Sequence, residues 1–188
     1  MADLISLDEY KEYEGLISTK EDVKLELLIA STSQLVKTYC GNNIIDYYYE
    51  DKVEEFSVKW DTDLVQLTES PVVSVSSVEH RQDETSSYTT MTASDYYVDT
   101  NTDSIFRVRR NWPKGLGAVK VTYRAGYPST PLDLKLAVID LVRYYLKNEY
   151  KDRQTLSGAS IENPASSSSS SVAFPDHIKR VLDLYKNF

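Results

Sequence analysis

The chain has 188 residues, one cysteine and a formal net charge of -8 at pH 7. Its hydrophobic fraction of 41% suits one sizeable core or two small ones. The acidic balance argues against a surface that follows a nucleic-acid backbone, because such binding needs clustered Lys and Arg. A single cysteine excludes an internal disulfide framework. Charged residues interrupt the longest apolar stretch, so the sequence predicts a soluble protein that does not enter a membrane.

Three segments have the apolar spacing of helices, and each begins with the hydroxyl and carboxylate of a capping box. The boxes pair Ser6 with Glu9, Thr19 with Asp22, and Thr130 with Asp133. We predict helices over about 6–14, 20–40 and 131–150. Apolar residues surround much of the third helix, which predicts a place at the centre of a bundle or against a neighbouring subunit. They are Leu132, Leu134, Leu136, Val138, Ile139, Leu141, Val142 and Tyr145.

Between the second and third helices the hydrophobic period changes to two, which is typical of half-buried strands. The strand-like runs lie within about 52–125. Trp112-Pro113-Lys114-Gly115 has the residues that a type I turn prefers, which predicts a β-hairpin over 104–124. The predicted fold is therefore α+β, a helical bundle with an inserted small antiparallel β-domain and a flexible C-terminal arm that ends in a short helix.

The arm begins with a segment, 152–171, that is rich in Ser, Gly, Asn and Pro. This composition predicts a flexible linker. Beyond it, over 172–188, apolar side chains recur on one helical face. We predict that this helix docks onto a partner or a neighbouring subunit; the alternative is that it folds back onto its own subunit. The docking residues are Phe174, Ile178, Val181, Leu182 and Tyr185.

No catalytic, metal-binding or cofactor-binding arrangement can be recognised in the sequence. The two histidines, His80 and His177, have no partners at catalytic or metal-ligand spacing. Gly115-Leu-Gly117 fits no phosphate-binding loop. Cys40 ends an apolar helical face, where a free thiol packs as a small hydrophobe. We therefore predict that the protein is not an enzyme and has no catalytic residue, no cofactor and no metal.

Arg107, Arg109, Arg110 and Lys114 surround Trp112 and form the one basic and aromatic cluster of the sequence. The cluster could contact DNA or an acidic protein. The sequence favours a second interpretation, an exposed hairpin whose charged edge prevents aggregation. The chain also has fifteen tyrosines, which suit both subunit interfaces and β-domain cores.

Several segments resemble the head-tail connector proteins, also called adaptor or head completion proteins, of long-tailed bacteriophages. The resemblance covers most of the chain. The segments that carry it are Leu7-Asp-Glu-Tyr-Lys-Glu-Tyr, Leu27-Leu-Ile-Ala, Tyr39-Cys-Gly, Ser70-Pro-Val-Val-Ser-Val-Ser-Ser-Val, Val119-Lys-Val-Thr-Tyr-Arg-Ala-Gly-Tyr-Pro, Pro131-Leu-Asp-Leu-Lys-Leu-Ala-Val and Phe174-Pro-Asp-His-Ile-Lys-Arg-Val-Leu-Asp-Leu-Tyr.

The resemblance implies that residues 1–151 form a connector domain and that the protein forms a homo-oligomeric ring, commonly of twelve subunits. The ring would be assembled in the cytoplasm of the bacterial host and lie at the head-tail interface of the virion. It would dock on the portal protein, with residues 172–188 as a hook, and offer a surface to a stopper or tail-completion protein. DNA would pass through its channel without sequence-specific binding. The alternative is a Tyr-rich β surface-binding module that recognises a protein or a carbohydrate.

Overall fold

A computed structural model of the protein describes residues 2–147, 153–156, 159–162 and 174–186. It has the predicted mixture of α-helices and antiparallel sheets. The helices are α1 (Leu7–Glu14), α2 (Asp22–Cys40), α3 (Leu132–Leu146) and α4 (Asp176–Leu182), with a 3-10 turn at Asp183–Tyr185. The strands are β1 (Lys52–Val58), β2 (Leu64–Gln66), β3 (Val72–His80), β4 (Thr89–Thr90), β5 (Tyr96–Asp99), β6 (Ser104–Arg107), β7 (Gly115–Ala125), β8 (Arg153–Leu156) and β9 (Ala159–Glu162). Within the described residues, no helix combines the length and the apolar character that crossing a membrane requires.

The helix starts follow the sequence prediction in part. At α1 the capping box is formed: the Ser6 hydroxyl accepts the Glu9 N–H at 3.1 Å, and the Glu9 carboxylate accepts the Ser6 N–H at 2.8 Å. At α3 the N-cap is Pro131, which has no side-chain acceptor, and the Asp133 carboxylate binds the next backbone N–H at 2.9 Å. The capping box predicted for Thr130 is therefore wrong, because α3 begins one residue later than the pattern suggests.

The chain divides into two compact units. The β unit comprises residues 41–129, and the helical unit comprises residues 2–40 and 130–186. Strands β1 to β7 all lie in the β unit, so the inserted β region corresponds to the range predicted from the change of hydrophobic period.

The β unit contains two antiparallel sheets, one in the strand order β1-β7-β3-β4 and one in the order β2-β6-β5. In β7, the residues Val119, Val121 and Tyr123 are fully buried and alternate with more exposed positions, as a half-buried strand requires. They share one core with Ile105 of β6 and with Trp112. Both sheets therefore bury their apolar faces in the same core.

The hairpin predicted over 104–124 is not formed. β6 pairs with β2 and β5, whereas β7 pairs with β1 and β3. Between them the backbone of Arg109 has a positive φ of 63°, and the Trp112 N–H donates to the Thr62 carbonyl at 2.8 Å. Because the Trp112 side chain is buried in the β core, residues 108–114 link the two sheets and do not form the tip of a turn.

Backbone hydrogen bonds tie the beginning of the β unit to its end. The Tyr127 N–H donates to the Ile44 carbonyl at 2.7 Å, and the Ala125 N–H donates to the Tyr47 carbonyl at 3.1 Å. Gly126 has a φ of 101°, and a Cβ atom at this position would lie 2.2 Å from the Ile44 oxygen. Only glycine allows this approach. We call residues 44–47 and 125–127 the insertion root.

A buried carboxylate supports the same region. Glu69, which is 3% exposed, accepts hydrogen bonds from the Asn43 N–H at 2.8 Å, the Asn43 amide at 2.6 Å and the Lys52 ammonium at 2.9 Å. The Tyr123 hydroxyl accepts the Glu69 N–H at 3.2 Å and donates to Glu54 at 2.7 Å. Burial and the Glu54 contact raise the pKa of Tyr123, so the phenol stays protonated. These bonds compensate for removing the polar groups from water.

In the helical unit, the apolar arc of α3 divides into two parts. One part packs in the core: Leu134, Val138, Ile139, Leu141 and Val142 are buried. The other part, Leu132 and Leu136, is exposed. One part of the predicted apolar arc is therefore core, and packing of the other part against a neighbouring subunit stays a prediction.

Two strands lie inside the range for which the sequence predicts a flexible linker, 152–171. β8 and β9 pair in antiparallel fashion, with Gln154 opposite Ile161 and Thr155 opposite Ser160. Thr155 and Ile161 favour extended backbone, which suits this pairing although the segment as a whole is polar, and the flexible linker stays a prediction. The six consecutive serines and the remainder of the predicted linker lie outside the described residues.

Gly126→Ala should lower the free energy of unfolding by more than about 3 kcal/mol, because the new Cβ would overlap the Ile44 carbonyl at a strained φ. Gly15, at the end of α1 with a φ of 67°, is the matched control, because nothing lies within 4 Å of the position of its Cβ. Gly15→Ala should cost about 1–2 kcal/mol from backbone conformation alone. Urea unfolding measures both values. Equal losses would mean that the insertion root tolerates a side chain.

Candidate functional site: partner-binding surfaces

The C-terminal helix packs onto its own helical unit. Phe174, Ile178 and Leu182 are buried, and α4 contacts both α2 and α3. The Tyr39 ring meets the Phe174 ring edge to face at 5.0 Å, and the Cys40 thiol lies 3.6 Å from the Leu182 carbonyl oxygen that accepts its hydrogen bond. The prediction that these three apolar side chains are a docking surface is therefore corrected: the helix has folded back, as the alternative stated.

Polar contacts hold the end of this segment. The Tyr185 hydroxyl donates to Asp133 at 2.6 Å, and the Tyr39 hydroxyl donates to Asp183 at 2.6 Å. The contact with Asp183 raises the pKa of Tyr39 to about 12. Val181 is half-buried, so of the five predicted docking residues only Val181 and Tyr185 keep appreciable exposure. The sequence identified the apolar face of α4 correctly but not what covers it.

The β unit has a cavity of about 430 Å³, which we call the arginine cavity. Its polar lining consists of Arg107, Arg109, Arg110, Thr89, Thr90, Thr92, His80 and Asp95. The structure thus brings the three predicted arginines to one opening. Trp112 and Lys114 have other roles. Trp112 is a core residue with the Arg107 guanidinium 5.7 Å from its ring centre, and Lys114 forms an ion pair with Asp61 at 2.8 Å.

The charges in the arginine cavity are only partly compensated. Arg107 donates to the Asn111 carbonyl at 2.9 Å, and burial together with the charge of Arg110 lowers its pKa from the usual value. Burial and the nearby charge of Arg107 lower the pKa of His80, so the imidazole is neutral at pH 7. The Nδ1 atom of His80 is buried and has no hydrogen-bond partner within the described residues.

The helical unit exposes two pairs of apolar residues. Val23 and Leu27 of α2 are 82% and 68% exposed, and Leu132 and Leu136 of α3 are 83% and 45% exposed. Residues four apart lie on the same face of a helix, so each pair forms one continuous apolar patch. We call them the α2 pair and the α3 pair. The sequence prediction included the α3 pair in its apolar arc. It did not identify the α2 pair as an exposed patch.

The tyrosines are divided between core and surface positions. Tyr10 and Tyr123 are fully buried, whereas Tyr49 and Tyr97 are exposed. In the part of the chain that the structure describes, no group of three or more His, Cys, Asp or Glu side chains could hold a metal ion. Burial raises the pKa of the Cys40 thiol to about 11, so this cysteine packs as a neutral core residue.

Comparison with known protein families matches residues 3–188, nearly the whole chain, to the family described as Head completion protein. The chain belongs to the head completion protein family. One relative is the Head completion protein of Escherichia phage T5, which is 23% identical over 188 residues; the match covers 97% of this chain and 98% of that protein. The resemblance to head-tail connectors noted in the sequence is thereby confirmed.

Solved structures with the same fold come from the necks of gene transfer agent particles. One is the neck of an empty particle computed with C6 symmetry, with a TM-score of 0.63 and 16% identity over 98% of this chain and 90% of that one. Another is the neck of a native particle computed with C12 symmetry, with a TM-score of 0.57 and 15% identity over 100% of this chain and 94% of that one. Membership of the head completion family gives this protein a structural, connector role in the virion.

Leu182→Ala should destabilise the helical unit by about 2–5 kcal/mol, because a fully buried leucine leaves a cavity when it is truncated. Leu184, two residues further along, is the matched control because it is 76% exposed whereas Leu182 is 0% exposed. Leu184→Ala should change stability by less than about 0.5 kcal/mol. Thermal unfolding followed by circular dichroism measures both. Similar, small losses would mean that α4 is not held on its own unit.

His80 should titrate below the ordinary histidine value, and Arg107→Gln should raise its pKa, because the substitution removes the neighbouring positive charge. Lys114→Gln is the control, because Lys114 does not line the cavity and pairs with Asp61. Histidine ring resonances in a pH titration measure the shift, and the chain has only two histidines to assign. A His80 pKa that is the same in wild type and Arg107→Gln would contradict the proximity of the two groups.

Proposed function

We propose that this head completion protein forms a ring that docks on the portal protein, extends the DNA channel and provides the attachment surface for a stopper or tail-completion protein. The observation that carries the proposal is the family match over residues 3–188. It is supported by the fold shared with neck structures computed with C6 and C12 symmetry, and the C12 symmetry suits a ring of twelve subunits. Assembly of this ring in the cytoplasm of the bacterial host is part of the proposal.

A ring of identical subunits joins two different surfaces of the same protein, head to tail. The α2 pair and the α3 pair are two separate apolar patches on different helices of the helical unit. We propose that the α2 pair of one subunit packs against the α3 pair of the next. Burying each side chain would contribute about 1.5–3 kcal/mol before the cost of association is subtracted.

The charge of the protein suits a DNA channel. A net charge of -8 repels the phosphate backbone, so DNA can slide past the ring without being held by it. The apolar face of α4 is not the proposed portal hook, because the helical unit already buries it. Portal docking is instead proposed for exposed surfaces of the assembled ring.

Electron microscopy of the protein mixed with its cognate portal protein tests the proposal, and ring density on the portal is expected. The variants Val23→Ser/Leu27→Ser and Leu132→Ser/Leu136→Ser should each keep the wild-type melting temperature, because these side chains are exposed, but should form no ring. Val53→Ser/Val73→Ser, which changes exposed apolar residues of the β unit, is the control and should assemble normally.

Normal rings from both helical variants would contradict the proposed interface but not the ring. Absence of any complex between the wild-type protein and the portal protein would contradict the proposed docking.

A further inference from the structure

The arginine cavity concentrates positive charge in an acidic chain. Arg107, Arg109 and Arg110 line it, against one carboxylate, that of Asp95. Asp95 already accepts a hydrogen bond from the Thr92 hydroxyl at 2.6 Å. Within the described residues, neither Arg109 nor Arg110 has an ion-pair or hydrogen-bond partner for its guanidinium group. The cavity therefore keeps two unpaired cations in a protein whose net charge is -8.

Hydroxyl groups in the lining can also bind an anion. Thr89 and Thr90 contribute hydroxyl donors. The His80 ring also lines the cavity, so its resonances report on an occupant. An anion in the cavity would thus meet the Arg109 and Arg110 guanidinium groups and the hydroxyls of Thr89 and Thr90.

The backbone that carries Arg109 and Arg110 is held in one conformation. Arg109 has a φ of 63°, a conformation that is uncommon for a residue other than glycine and that accumulates at functional sites. After Arg110, the hydrogen bond from the Trp112 N–H to the Thr62 carbonyl and the burial of the Trp112 side chain hold the segment in place. The backbone that carries the two arginines therefore needs no further ordering when a ligand binds, and the cost that remains is the rotamer freedom of the two side chains.

The volume of the arginine cavity and the net charge of the chain favour a protein carboxylate over DNA as the bound anion. A cavity of about 430 Å³ accommodates one or two side chains but does not follow a duplex. Binding to a DNA backbone requires many phosphate contacts, roughly six to ten, and the acidic chain offers few other cations. Guanidinium groups match the planar carboxylate of Asp and Glu in two parallel hydrogen bonds.

We propose that the arginine cavity binds an acidic segment of a protein partner, whose carboxylates are held by Arg109 and Arg110. Arg107 is a positioning residue, because its guanidinium is already engaged by Asn111 and lies near the Trp112 ring. The inference goes beyond the proposed ring function and does not depend on it, since the isolated subunit carries the whole cavity.

The full chain can be titrated with a hexaglutamate peptide while the His80 ring resonances are followed by NMR. The peptide should shift these resonances in a saturable way, with a dissociation constant of about 1 mM or tighter. Arg109→Gln/Arg110→Gln should weaken binding at least about 10-fold. The control Lys20→Gln/Lys24→Gln removes the same charge from exposed positions outside the cavity and should weaken binding less than about twofold.

Three results would overturn the proposal. One is the absence of a saturable His80 shift, or an equal shift with an uncharged Gly-Ser peptide of the same length. The second is an equal loss of affinity in the two double variants, which would indicate a diffuse charge effect. The third is binding of inorganic phosphate or of a short DNA duplex as tightly as the peptide, which would assign the cavity to an anion or to nucleic acid and not to an acidic protein segment.

Discussion

The β unit depends on the close crossing of two backbone segments at the insertion root. Its first and last residues bind each other through the hydrogen bonds between Tyr127 and Ile44 and between Ala125 and Tyr47, and Gly126 makes the approach sterically possible. Because the insertion begins and ends at one place, the flanking helices α2 and α3 can pack together in the same unit. Glu69 and its partners fix the neighbouring loop, so the root is held by both backbone and side-chain contacts.

The features that the sequence predicted well are those set by local periodicity. The three main helices, the strands of the β unit and the buried face of α3 follow from the spacing of apolar residues. The hairpin failed because Trp112 is held by the β core and by Thr62, and no local pattern reveals which strands a tryptophan joins. The docking prediction for α4 failed for a related reason: the pattern shows that Leu182 must be covered but not whether its own unit or a partner covers it.

The apolar pairs of the helical unit and the arginine cavity of the β unit differ in chemistry. The helical unit offers apolar pairs, whose burial is favourable with any complementary apolar face. The β unit offers a cationic cavity, which selects by charge and geometry. The sequence placed Arg107, Arg109 and Arg110 together because they are close along the chain. It could not add His80, which belongs to a different strand and reaches the cavity only through the pairing of β3 with β4.

An inserted unit closed at its root by main-chain bonds and one buried carboxylate places its sequence requirements on a few positions, among them Gly126 and Glu69. Adjacent ends are the geometric condition under which an inserted unit is tolerated within a host domain. The chain between the two root segments can therefore vary in length without pulling α2 and α3 apart, because the root sets the distance between the points at which the insertion begins and ends.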